Sequence, residues 1–113
     1  MPPPPPGQNE ETGALALPVV LLSAHAEEDL GRIVGFLLAT EPATAAATGE
    51  LVIDALEVLG RHPLIGRPAE EGIRELVISR SKSGYCARYE IDAAAGRVIV
   101  HAIRHQREAG WRD

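Results

Sequence analysis

The stretch Ala102–Trp111, A-I-R-H-Q-R-E-A-G-W, gathers residue types that could do chemistry. Arg104, His105, Arg107 and Trp111 follow directly on an apolar run. Cleaving RNA without a metal needs a base for the ribose 2′-hydroxyl, cations for the developing negative charge, and an acid for the leaving oxygen. Lys82, Arg88, Arg104, His105 and Arg107 are of suitable types, although their spacing does not bring them together by itself. His62, His101 and His105 are scattered without a carboxylate pattern, so no metal site is expected, and no cofactor is implied. Cys86 could act as a nucleophile beside a histidine, but a cysteine within an apolar strand is ordinarily packed and inert.

Local signals define the elements that must hold these residues. Pro18–Ser23 is a short apolar run opened by proline, as a first or edge strand allows. Ser23 is placed to cap a helix whose first turn carries Glu27, Glu28 and Asp29, favourable to the helix dipole. Leu30, Ile33, Val34, Leu37 and Leu38 form its apolar stripe, of which Leu30, Val34, Leu37 and Leu38 are expected in the core. Pro42 ends that helix and opens another, striped by Ala45, Thr48, Val52, Ala55, Leu56 and Leu59 and closed after Gly60. Residues 62–72 hold Pro63, Gly66, Pro68 and Gly72 and read as a loop. Strands are expected at 73–79, 85–92 and 97–103, antiparallel because short turns join them. The result is an α+β fold, β-α-α-β-β-β, in which an N-terminal helical hairpin covers one face of a small antiparallel sheet.

Strict alternation places Val98, Val100, Ala102 and Arg104 on one face of the last strand and Ile99, His101, Ile103 and His105 on the other. Tyr85, Ala87, Tyr89 and Ile91 oppose Cys86, Arg88 and Glu90 in the same way. The uncovered face therefore mixes aliphatic residues with arginine, a composition suited to protein contact. Arg74, Arg80, Arg104, Arg107 and Trp111 are the contact candidates, with an ion pair to Glu90 or Asp92 expected for Arg74.

Composition bounds the rest. The chain has 113 residues, 45% hydrophobic and 24% charged, which suits one small domain over 18–113. Residues 1–17, opening with five consecutive prolines, read as a disordered polyproline tail. One cysteine permits no internal disulfide, and there is neither a signal-peptide pattern nor a membrane-length apolar run, so a cytoplasmic protein is expected. Net charge is -5, but the ten basic residues of the C-terminal part contrast with the single Arg32 before residue 61.

Three stretches together resemble the RelE/ParE superfamily of type II toxins: Ser23–Leu30; Arg61–Arg67 with Ile73–Val77; and Ser83–Tyr89 with Ala102–Glu108. The resemblance runs from about Val19 to Trp111. It implies the same β-α-α-β-β-β fold and a cognate antitoxin that wraps the toxin, with any DNA contact made through that antitoxin. A homodimer or a heterotetramer with antitoxin is compatible with it. ParE-like members inhibit DNA gyrase; RelE-like members cut messenger RNA on the ribosome using lysines, arginines and a tyrosine. Anchored on Ser83-Gly84-Tyr85, the RelE pattern would put an arginine where Cys86 stands and two lysines where Val77 and Ser79 stand. Arg107-Glu108 matches, whereas the terminal tyrosine has no counterpart unless Trp111 is a displaced aromatic. The resemblance thus implies a ParE-like gyrase inhibitor, with a ribosome-dependent endoribonuclease or a non-toxic antitoxin-binding homologue as alternatives.

Overall fold

A computed structural model describes residues 17–80 and 83–106, without the side chains of Ser79, Arg80 and Ser83. The order is β1 (Val19–Leu22), α1 (Ala24–Thr40), α2 (Pro42–Arg61), β2 (Arg67–Glu70), β3 (Ile73–Arg80), β4 (Ser83–Asp92) and β5 (Arg97–His105). The five strands form one mixed sheet, β1-β5-β4-β3-β2, with β1 parallel to β5 and the other pairs antiparallel. Both helices lie on one face of it, so the α+β expectation holds. Two details differ from the sequence reading. The first strand joins the sheet in parallel, and the supposed loop at 62–72 contains β2. Its Pro68 sits on an edge strand, where a missing N–H interrupts no interior ladder.

The helices form for the reasons their ends suggest. Ser23 Oγ accepts the Ala26 N–H at 3.0 Å, and Pro42 occupies the first turn of α2, where no N–H partner is needed. Ala26, Ile33 and Leu37 of α1 and Ala45, Val52 and Leu59 of α2 are buried against Tyr85, Ala87, Tyr89, Val98, Val100 and Ile103. Leu30 and Val34 are half-buried, whereas Leu38 is exposed, because the apolar stripe is wider than the strip the sheet covers.

A β-bulge sets the side-chain faces of β5. Arg88 pairs with Ala102 but Tyr89 with Val100, leaving His101 as the extra residue. Beyond it the alternation shifts phase. Ile103 and His105, not Ala102 and Arg104, continue the helix-covered face begun by Val98 and Val100. Ala102 and Arg104 move to the open face with Ile99 and His101. The outer edge of β5 past β1 is covered by the start of α1. Ser23 N–H donates to Val100 O at 2.9 Å, Ser23 Oγ donates to His101 O at 3.1 Å, and the Ile103 N–H donates to the Asp29 carboxylate at 2.9 Å. Asp29 is only 4% exposed and is flanked by Arg32 at 3.4 Å and His25 at 3.5 Å. A buried carboxylate in a helix's second turn is thus explained by the strand amide it satisfies.

Candidate functional site

Of the expected contact residues, the open face carries Arg104, opposite Cys86. Its strands line up Arg67 with Glu75, Glu75 with Arg88, Val77 with Cys86, Cys86 with Arg104, Glu90 with Ile99, and Asp92 with Arg97. Carboxylates meet the basic side chains of this face repeatedly. Arg67 pairs with Glu75 at 3.2 Å, Arg97 with Asp92 at 3.2 Å, His101 with Glu90 at 2.6 Å, and Arg88 with Glu70. Arg104 reaches forward along its own strand to the carbonyl of His105 at 3.3 Å. A strongly cationic patch, which phosphate binding would favour, is thereby offset from within.

Cys86 is buried, and burial raises its thiol pKa; the Glu75 carboxylate adds to the rise, while Arg104 and Arg67 oppose it. The thiol therefore stays protonated and is a poor nucleophile. His105 lies on the opposite face, its ring edge-on to Tyr85 with centroids 5.1 Å apart. Arg104 and His105 consequently do not converge. A groove beside Tyr85 is lined on the other wall by Thr44, Ala47, Thr48, Glu50, Leu51 and Asp54 of α2, an apolar floor with an acidic rim. No group of three His, Cys, Asp or Glu residues is placed to hold a metal among the described residues. None of the helices described is long and apolar enough to cross a membrane.

Arg74 is elsewhere. It faces the helices beside Tyr89, and its guanidinium donates to Gly66 O at 2.6 Å and Leu64 O at 3.3 Å. The expected ion pair with Glu90 or Asp92 does not form, because those carboxylates lie nearer the open face and pair with His101 and Arg97. Tyr89 joins the same clamp: its hydroxyl donates to Pro63 O at 2.6 Å and accepts the Gly66 N–H at 2.8 Å. Burial pushes this phenol's pKa up, against the smaller opposing influences of the Gly66 bond and Arg74. The sequence reading missed this clamp; Pro63 and Gly66 marked a turn, but not what fastens it. Lys82, Arg107, Trp111 and the side chain of Arg80 lie outside the described residues, as does the proline tail up to residue 16.

Comparison with known proteins places this arrangement. The family described as the ParE toxin of the type II toxin-antitoxin system, parDE, matches residues 20–110. Toxin RelE3 of Caulobacter vibrioides is 32% identical over 89 residues, covering 79% of this chain and 95% of that protein. Toxin RelE1 of the same organism is 35% identical over 85 residues, covering 75% and 87%. Among solved structures, a chain of the chromosomal ParDE system from P. aeruginosa superposes with a TM-score of 0.67 at 17% identity, covering 80% of this chain and 97% of that one. A chain of the RelBE2 toxin-antitoxin complex from Mycobacterium tuberculosis gives 0.55 at 23% identity, covering 83% and 97%. These two likenesses concern the fold.

Proposed function

The chain belongs to the ParE toxin family of type II toxin-antitoxin systems, and from that premise we propose that it arrests growth by binding and inhibiting DNA gyrase, and that a cognate antitoxin neutralises it. One observation carries the choice of mechanism. Cys86, a buried thiol with a raised pKa, occupies the place next to Tyr85 where RelE-like ribonucleases carry an arginine. It can neither hold a phosphate nor move a proton near neutral pH. Val77, where a lysine would be required, exposes an isopropyl group to solvent instead. Such a surface supports contact with a protein more readily than bond cleavage.

The antitoxin reading draws on the ParDE and RelBE complexes that share the fold. A second reading, a ribosome-dependent messenger RNA endoribonuclease, is favoured by the RelE names of both relatives from Caulobacter. It would have to use Arg88, Arg104 and His105, with Lys82 and Arg107, in a rearranged site. Supercoiling of relaxed plasmid by purified gyrase separates the two. Inhibition at micromolar protein is expected. Unimpaired supercoiling, together with cuts inside translated messages mapped by primer extension after induction, would replace the gyrase reading with the second.

A further inference from the structure

The loop between α2 and β2 is held more firmly than a surface connection requires. Tyr89, fully buried, ties down Pro63 O and the Gly66 N–H; Arg74 ties down Leu64 O and Gly66 O; and the Ile65 N–H donates to His62 O at 3.0 Å. Gly66 is packed so closely that a Cβ there would lie 2.6 Å from the Tyr89 hydroxyl oxygen and 2.7 Å from Glu75 O. Yet the two largest side chains of this fastened loop face water: Leu64 is 67% exposed and Ile65 52%. Single exposed apolar residues are ordinary, but an adjacent pair on a firmly fastened loop has the character of an interface anchor. Its backbone is already ordered, so little conformational entropy remains to be lost on binding.

The charges around the tip identify what it fits. Arg61 and Arg67 flank it, both exposed; Arg67 is paired with Glu75, and residues 61–67 themselves include no acidic side chain. The helical hairpin, by contrast, carries seven acidic residues and two basic ones over 24–61. An exposed apolar pair flanked by arginine is complementary to an apolar site with an acidic rim. An antitoxin tail, being an extended segment, suits a groove such as the one beside Tyr85. That groove lies roughly 13 Å along β4 from Tyr89, four residues at strand spacing.

We propose that Leu64 and Ile65 form a preorganised anchor, flanked by the exposed Arg61, that inserts into an acidic-rimmed apolar cleft on the folded protein this toxin acts on. This rests on the reading that the toxin works by protein contact, but not on the target being gyrase.

The test uses the full chain carrying Leu64→Asp with Ile65→Asp, induced without antitoxin and scored for growth arrest. Both side chains are exposed, so thermal melting should match the wild type. The potency of arrest should fall by about 30-fold or more, the scale of a lost interface hot spot. A folded double variant as potent as wild type, or a wild type that arrests nothing, overturns the anchor. Arg61→Glu should lower potency about fivefold, with the effect shrinking in high salt in the supercoiling assay; unchanged or increased potency overturns the acidic rim. If the wild type arrests growth, leaves gyrase untouched, and the double variant is inert, the gyrase reading fails while the anchor stands.

Discussion

The two faces of the sheet are made from the same three central strands and are closed by different physics. On the helix-covered face Ala87, Val98, Val100 and Ile103 meet Ile33, Leu37, Val52 and Leu59, and apolar burial holds the layers together. On the open face Glu75, Arg88, Glu90 and His101 meet one another and Arg67 and Glu70, partly in water. The difference teaches that an arginine-rich sequence need not make a cationic surface. The acidic residues that offset these arginines come from neighbouring strands, where only the register brings them alongside.

That contrast can be broken at its seam. Asp29→Ala would strip the Ile103 amide of its acceptor at a site closed to water. A loss of about 3 kcal/mol in urea unfolding is expected, from a charge-assisted bond removed and a buried N–H orphaned; a loss below about 1 kcal/mol would show that the helix-sheet seam does not depend on this carboxylate. The next effect belongs to alkaline pH. The Cys86 thiol has a folded pKa raised above its ordinary value of 9.0, so the native state holds its proton more tightly than the unfolded chain. Its contribution to stability is complete below that value and is lost as pH climbs through the raised one. Stability should thus decline less steeply above pH 9 in Cys86→Ala, and iodoacetamide should leave the native wild-type thiol unmodified near pH 7. Rapid native labelling would contradict the buried placement. The smallest effect is expected on the open face, from Glu90→Gln. The His101–Glu90 pair is partly solvated, and its loss should change stability by about 0.5 kcal/mol or less.

Much of the architecture was legible because it rests on local rules. The Ser23 cap, the Pro42 boundary and the stripes of Ile33, Leu37, Val52 and Leu59 each follow from periodicity or end chemistry. What escaped depended on partners remote in sequence. The bulge at His101 is invisible to alternation, since one extra residue leaves composition and length unremarkable while exchanging the faces of Ala102 and Ile103. Arg74 was expected among carboxylates because charge suggests charge, but its guanidinium meets the backbone carbonyls of Leu64 and Gly66 instead. β2 is four residues long and includes proline, so it offers almost no strand signal of its own. The site residues were legible as types and illegible as a set, for the same reason.

The parallel pairing of β1 with β5 has a consequence for how the chain comes into being. Val19 meets Arg97, and Ser23 meets His101, 78 positions further along the sequence. Until β5 has been synthesised, Val-Val-Leu-Leu has no strand to join and Asp29 has no amide to satisfy. Closing so long a loop is entropically slow, and the waiting segment is an apolar edge. A stalled or truncated nascent chain therefore ends as a sticky, open fragment suited to chaperones and proteases, not as a smaller working protein.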